Sequence, residues 1–170
     1  MTYSTTGIAS GAHLTFEILM KEAGIKLNHV PFPSGTAATL AMLGGHVTCT
    51  GGSFGTLSTH LKGGRARALV VFDTKRSSEF PDVPTCREKG YDVVRVTYHA
   101  LIGKKGTPKP ILDYLTSLFK QMAVDPAVQT NLSNAGFVSL YMAPEETEKY
   151  VNQDFELASD MFKKLGLVGK

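Results

Sequence analysis

Short β-prone segments alternate with helical segments through the first part of the chain, and this alternation restricts the fold more than any other feature. The predicted strands are Thr2 to Ser4, Asn28 to Phe32, Val47 to Thr50 and Ala66 to Phe72. The helices predicted between them are 12 to 24, 36 to 43 and 56 to 62, each stopped by glycine. Short βα units in series require a parallel sheet with helices on both sides. The predicted class is therefore α/β.

The character of the sequence changes after Asp73. Residues 77 to 92 are polar and rich in proline, which predicts a surface connection, and Val93 to Ile102 then returns as a strand. The remaining predicted elements are helices at Pro108 to Ala123, Pro126 to Ala135 and Pro144 to Leu165, with a lone strand at Phe137 to Tyr141. We therefore predict an α/β lobe at residues 1–97 and a crossover strand with a helix-rich C-terminal tail at residues 98–170.

Composition excludes several classes of protein. The chain has 170 residues, of which 42% are hydrophobic and 19% charged, and this fits a soluble globular chain with one core or two small lobes. A net charge of +3, spread over scattered basic residues, does not predict nucleic-acid binding. No apolar run approaches the ~20 residues of a membrane span, and the N-terminus lacks a signal-peptide pattern. As given, the chain is expected to be cytoplasmic, with Cys49 and Cys86 as free thiols.

Three junctions, at which a strand ends and a helix begins, carry the strongest functional signal. They are TTGIAS (5 to 10), PSGT (33 to 36) and GGSFGT (51 to 56). In an open parallel sheet, all three lie at the carboxyl edge of the strands, where ligands bind. Glycines let backbone amides approach a ligand, hydroxyls donate, and a helix N-terminus favours negative charge. None of the three contains lysine or arginine, which predicts a carboxylate held by neutral dipoles. The alternative is that Ser10, Thr36 and Thr56 are N-caps that satisfy their own helices.

Other ligands receive less support from the sequence. No Gly-Lys-Ser/Thr follows these glycines and no Gly-x-Gly-x-x-Gly opens a helix, so no nucleotide cofactor is predicted. The five histidines show no paired ligand spacing, and no metal is predicted. His13 lies in the first turn of the first helix, where a packing or capping role is favoured over a ligand contact.

One motif suggests an enzyme. GGSFG (51 to 55) matches the Gly-x-Ser-x-Gly nucleophile elbow, and Asp73 and His99 would complete the order of a serine hydrolase that uses Ser53. Such hydrolases need several strands before the nucleophile, whereas only two short predicted strands precede Ser53 here. Hydrolysis therefore stays the less favoured alternative.

Several segments together resemble a known family. The ordered series TYSTTGIASGAHL, HVPFPSGTAATLAMLGGHV, LKGGRARALVVFDTKRSSEFPDVPTCREKGYD and GTPKPILDYL resembles the substrate-binding proteins of tripartite tricarboxylate transporters, the Bug or TctC family. The resemblance extends over essentially all of the chain. It implies a fold like that of type II periplasmic binding proteins, in which two α/β lobes close on a small carboxylate and deliver it to a membrane permease. A receptor of this kind is not an enzyme.

The resemblance also implies a set of ligand-binding residues. In the first loop these are Thr6, Gly7 and Ser10, in the second Ser34, Gly35 and Thr36, and at the third strand Ser53. Ser4 and Ala9 stand where the family usually has glycine.

The family further implies a signal peptide and a first lobe ahead of Met1. We therefore expect this chain to be a truncated receptor that contains the second lobe, from a protein that is periplasmic. Apolar residues of the tail would then be exposed, namely Leu112, Leu115, Leu118, Phe119 and Met122. Self-association into a homo-oligomer is the expected way to cover them. A folded remnant that binds nothing is the other alternative, because half a cleft leaves one end of the ligand in water.

Overall fold

The structure is a computed structural model that describes residues 1–96, 98–134, 141–164 and Gly166. The chain divides into two compact units. The first comprises Met1–Thr97 with Asp160–Lys170, and the second comprises Tyr98–Ser159.

The first unit is built on a three-stranded parallel sheet. Its central strand, β1 (Thr2–Thr5), pairs with β2 (Asn28–Pro31) on one side and β3 (Cys49–Thr50) on the other. Helix α1 (Gly11–Ala23) connects β1 to β2, α2 (Gly35–Leu43) connects β2 to β3, and α3 (Phe54–Lys62) follows β3. Because parallel crossovers are right-handed, the order β2-β1-β3 puts α1 and α2 on opposite faces. The α/β class predicted from the sequence is confirmed.

The core of this unit forms around β1. Tyr3, Ser4 and Thr5 are completely buried, and the Tyr3 ring stacks on Phe16 of α1 with 4.2 Å between ring centroids. The buried apolar residues are Tyr3, Leu14, Phe16, Ala38, Ala41, Val47, Val71, Cys86 and Val93. A buried hydroxyl needs a hydrogen-bond partner, and Ser4 Oγ donates to the carbonyl oxygen of Ala38 at 3.1 Å.

Two predicted strands are wrong. Within 66 to 72, only Val71 pairs, in an isolated bridge with Thr85. The reason is that the neighbouring segment carries Pro81 and Pro84, which lack the N–H group that a longer ladder would need. The described residues of 93 to 102 also form no strand, although Arg95 N–H donates to the carbonyl oxygen of Phe72 at 2.7 Å. Val93 is buried at 1% exposure, whereas Leu101 and Ile102 are exposed.

The predicted surface connection contains one short 3-10 helix, Arg87–Lys89. Two hydrogen bonds between Thr85 and Glu88 stabilise the start of this helix. Glu88 N–H donates to Thr85 Oγ1 at 3.1 Å, and Thr85 N–H donates to Glu88 Oε2 at 2.7 Å. The two bonds have the pattern of a capping box, formed around Cys86, the residue that precedes the helix.

The helical prediction for the tail is confirmed. Helix α4 covers Lys109–Val124, α5 covers Pro126–Asn134, and α6 covers Pro144–Lys164, with the last residues of α6 assigned to the first unit. The predicted ends at Ala135 and Leu165, and residues 137–140 of the predicted lone strand, lie outside the described residues. Within the second unit, Tyr98 packs edge-on against Tyr150 with centroids 5.1 Å apart.

Helix α4 exposes large apolar side chains. They are Ile111, Leu112, Tyr114, Leu118, Phe119, Met122 and Val124. Across the part of the chain that the structure describes, no helix is both long enough and apolar enough to cross a bilayer.

Gly51 directly follows β3, and because it has no side chain, the Phe16 ring of the core can pack against its backbone. A methyl group on Gly51 would lie 2.6 Å from Cε2 of the buried Phe16 ring. We expect Gly51→Ala to lower the free energy of unfolding by about 1–3 kcal/mol, because Phe16 is also held by its stack on Tyr3. Urea unfolding measures this change.

Gly11→Ala is the matched control, because an added methyl at Gly11 would have nothing within 4 Å. Its effect should stay within about 0.5 kcal/mol. Equal stability of the two variants would contradict the packing argument.

Candidate functional site

The three strands end at the same edge of the sheet. Phe32 N–H donates to the carbonyl oxygen of Thr5 at 3.0 Å, and Gly51 N–H donates to that of Ser4 at 3.0 Å. Helix α3 packs beside α2, so α1 and α3 leave the sheet toward opposite faces. The gap between β1 and β3 is therefore a topological switch point, where open α/β sheets bind ligands.

The three junctions meet at Gly35. A methyl group placed there would lie 3.6 Å from Cγ2 of Thr6 and 3.7 Å from Cγ2 of Thr56. These residues come from the second, first and third junctions respectively. The structure thus brings together three segments that are far apart in sequence, and glycine at position 35 leaves the space between them open.

The first loop has an unusual backbone. Gly7 has φ +125°, and Ala9 has φ 62°, the one positive value at a non-glycine residue among those described. Left-handed backbone is normally adopted by glycine, so it is unfavourable at Ala9. Thr5 Oγ1 holds the turn, since it lies 3.1 Å from the carbonyl oxygen of Gly7 and 3.3 Å from Gly7 N.

The serines at the three helix starts are used differently. Ser10 Oγ accepts from His13 N–H at 3.2 Å, and Ser34 Oγ accepts from Ala37 N–H at 3.1 Å. Ser53 occupies the cap position of α3, but its side chain makes no capping bond. The exposed Ser53 hydroxyl and the first N–H groups of α3 are therefore available to a ligand.

The expected capping residues were partly wrong. Ser10 is a cap, but Thr36 and Thr56 lie inside helices, and Ser34 and Ser53 take the cap positions. A cap requires extended backbone, which Ser34 has at φ −153° and ψ 161°. Thr6 and Thr36 are exposed, while Gly7, Ser10 and Gly35 are partly buried.

A stack of rings lies behind the first loop, and the sequence reasoning missed most of it. The imidazoles of His13 and His29 stack with 4.1 Å between centroids and 13° between planes, and Tyr3 stacks on His29 at 4.9 Å. His13 does pack, as expected, and its Nδ1 also accepts Ala9 N–H at 3.0 Å. His29 could have been found by pairing the first two predicted strands, because it lies in β2 directly opposite Tyr3 of β1.

Burial controls the ionisation of this stack. It lowers the pKa of His13, although the Glu17 carboxylate, 3.4 Å from Nε2, acts to raise that pKa. Burial also lowers the pKa of His29, and the neighbouring His13 adds to this effect. Burial, followed by the hydrogen bond from Tyr3 to Glu17, raises the pKa of Tyr3 far above its ordinary value. The rings are therefore neutral near pH 7.

The hydrolase motif lacks the geometry of a nucleophile elbow. That turn holds its serine in a strained backbone, whereas Ser53 has an ordinary extended conformation at φ −79° and ψ 155°. The Asp73 carboxylate accepts from Thr74 N–H at 2.6 Å and from Thr74 Oγ1 at 3.1 Å. Among the described residues, no group of three or more His, Cys, Asp or Glu side chains could hold a metal ion.

Comparison with protein families gives one match over nearly the whole chain. The model of the tripartite tricarboxylate transporter family receptor, TctC, matches residues 1–167. A Cupriavidus necator protein of the UPF0065 group, encoded in the gbd 5' region, is 28% identical over 98% of this chain and 51% of its own length. Protein BugT of Bordetella pertussis is 25% identical over the same shares. The chain spans about half the length of these curated relatives.

Solved structures show the same fold. Periplasmic binding protein BugD is similar with a TM-score of 0.77 and 27% identity, over 98% of this chain and 57% of BugD. An R. palustris protein solved with adipate gives a TM-score of 0.83 at 18% identity, over 98% and 56% of the two chains. MatC from Rhodopseudomonas palustris, solved with bound malate, gives 0.72 at 21% identity, over 95% and 56%.

The lowered histidine pKa values make stability depend on pH. In the unfolded chain, the imidazoles of His13 and His29 titrate at about pH 6.5. Below that value the unfolded chain binds more protons than the folded one. The free energy of unfolding should therefore be lower at about pH 5.5 than at about pH 7.5. Urea unfolding at both pH values measures the difference.

A double variant, His13→Asn with His29→Gln, should show a smaller difference between the two pH values. The control His46→Gln, at an exposed histidine outside the stack, should keep the parent difference. Identical pH dependence in the double variant and the parent would contradict the assignment.

Proposed function

The chain belongs to the tripartite tricarboxylate transporter receptor family, and we propose that it recognises a small carboxylate at the carboxyl edge of its sheet. The observation that carries this proposal is the convergence of three junctions at Gly35, none of which contains a basic residue. An anion bound there would be held by amides, hydroxyls and helix N-termini. Adipate and malate in the two R. palustris relatives are small dicarboxylates, which supports this class of ligand.

Each junction contributes a different type of donor. The α3 junction offers the hydroxyl of Ser53 and uncapped N–H groups, and the first loop offers Thr6 Oγ1. The Gly7 N–H group and Ser10 Oγ donate to Thr5 Oγ1 at 3.3 and 3.4 Å, and a ligand would replace that acceptor. The second junction adds the start of α2 at Ser34, Gly35 and Thr36. Ser34 caps α2 through its oxygen, which leaves its hydroxyl proton free to donate, whereas Ser10 Oγ caps α1 and already donates to Thr5 Oγ1 at 3.4 Å.

The wider role follows from the family. We propose residues 1–97 as the ligand-binding lobe and residues 98–170 as the crossover and C-terminal part of a periplasmic receptor that delivers its ligand to a membrane permease. The description of BugD as a periplasmic binding protein supports this location. No step in this role requires bond cleavage, so we propose binding without catalysis.

Ligand binding is testable by thermal shift of the full chain with malate, adipate, succinate and citrate, with phosphate and sulfate as controls. A carboxylate at about 100 times its dissociation constant should add roughly 2.7 kcal/mol to the free energy of unfolding. Gly7→Val should abolish the shift, because φ +125° is strained for any side chain. Ser53→Ala should weaken binding about fivefold through one lost donor.

Gly24→Ala is the matched control, because Gly24 also has positive φ but ends α1 away from the loops. It should melt earlier yet keep the parent affinity. Equal affinity in Gly7→Val, Ser53→Ala and the parent would overturn the loop assignment. A cooperative melt with no carboxylate shift would favour the folded, non-binding alternative, and labelling of Ser53 by a fluorophosphonate would favour the hydrolase.

We also propose that the exposed face of α4 causes self-association. In a purified sample, another copy of the chain offers the same apolar face as a partner. Phe119→Glu should shift the chain toward monomer in light scattering, because it places a charge on the face, whereas Lys120→Glu, on the same helix, should not. A monodisperse parent monomer would contradict the proposal.

A further inference from the structure

We propose that His13 and His29 are positioning residues, which hold the first loop (residues 5–10) in its ligand-binding conformation, and that protonation of His13 releases the loop and the carboxylate. The inference rests on the proposed carboxylate site and adds a pH-dependent control of that same site. It is carried by two contacts between the ring stack and the loop.

The first contact fixes Ala9. Its N–H donates to Nδ1 of His13 at 3.0 Å, so this nitrogen must be unprotonated. The proton of the neutral ring is then on Nε2, which lies 3.4 Å from Oε1 of Glu17. Left-handed backbone is unfavourable for alanine, and Ala9 has φ 62°. The bond to His13 compensates for this unfavourable conformation.

The second contact fixes Gly7 through Thr5. His29 Nε2 lies 2.7 Å from Thr5 Oγ1, and that hydroxyl also lies 3.1 Å from the carbonyl oxygen of Gly7. Thr5 has one hydroxyl proton, so both bonds form together only when Nε2 of His29 carries a proton and Thr5 donates to Gly7. The tautomer of His29 therefore sets the direction of the Thr5 hydroxyl, which holds the turn at Gly7 together with the bond from Gly7 N–H to Thr5 Oγ1 at 3.3 Å.

A second proton on His13 would break the first contact. It would sit on Nδ1 and face the Ala9 N–H group, donor against donor. The ionisable groups around the ring are Glu17 on α1, Tyr3 on β1 and His29 on β2, and the ring of Phe162 on α6 lies 6.3 Å away. Glu17 favours the charged ring, but burial opposes it more strongly, which holds the pKa of His13 below its ordinary value.

Only one imidazole of the pair is expected to charge. The rings stack 4.1 Å apart, so a proton on one opposes a proton on the other. A charge on His29 would leave its Nε2 proton in place and keep the bond to Thr5. His13 is therefore the ring whose titration changes the loop.

NMR of the full chain tests the contact without any ligand. The Ala9 amide shift should move with the same midpoint as the His13 ring as the pH falls from about 8 to about 5, and this midpoint should lie below about 6.5. The Gly24 amide, at the far end of α1, is the internal control and should not follow it. An Ala9 amide that does not track His13 would overturn the inference.

Two substitutions of His13 separate positioning from packing. Asparagine puts its terminal group near the place of Nδ1, whereas glutamine puts it near Nε2. His13→Asn should bind malate within about twofold of the parent and lose the fall in affinity toward low pH, because it keeps an acceptor that does not titrate. His13→Gln should bind about tenfold more weakly at every pH.

Both variants lose the ring, so an equal loss of affinity would assign His13 to packing alone and overturn the inference. A pH-independent affinity of the parent would overturn it as well. His46→Gln is the matched histidine control and should behave as the parent. If the parent binds neither malate nor adipate at about pH 8, the proposed function fails. The NMR titration still decides whether His13 holds the conformation of the first loop.

Discussion

The burial of β1 on both faces is the constraint on which the candidate site depends. A parallel strand between two neighbours is closed to water, so each polar side chain on it needs an internal partner. The Ser4 hydroxyl forms a hydrogen bond with a backbone carbonyl of α2, the Thr5 hydroxyl with His29, and the Tyr3 hydroxyl with Glu17. These bonds reach both sides of the strand and also the loop that follows it. The stability of the sheet and the shape of the first loop therefore have the same physical origin.

Several basic side chains of the first unit are paired with carboxylates outside the three junctions, which is consistent with a site built from neutral donors. The ion pairs of the first unit, such as Lys62–Glu79 and Arg76–Glu88, join exposed side chains of α3 and of the connection after the sheet. Exposed pairs of this kind contribute little to stability, and they neutralise basic groups that would otherwise compete for an anion. The proposed binding at the sheet edge would then depend on geometry, because donors at fixed positions select the shape of a ligand as well as its charge.

The sequence was sufficient to predict the alternating elements, the α/β class and the position of the three junctions, since these follow from local periodicity and glycine stops. It failed where the outcome depended on distant segments. Whether 66 to 72 became a strand depended on Pro81 and Pro84 in the segment beside it, and whether a serine or threonine capped α2 depended on the backbone at Ser34. The contact between Thr5 and His29 joins residues 24 apart, and no local pattern encodes it.

The left-handed alanine in the first loop has a consequence for the thermodynamics of recognition. A glycine at position 9 would sample many backbone states in the free protein, and a ligand would have to select one of them. Alanine samples fewer states, and the bond from its N–H group to the ring behind it reduces them further. Much of the conformational entropy that ligand binding would otherwise remove from this loop is thus already lost when the chain folds. The loop is preorganised, and its ordering belongs to the free energy of folding rather than to that of association.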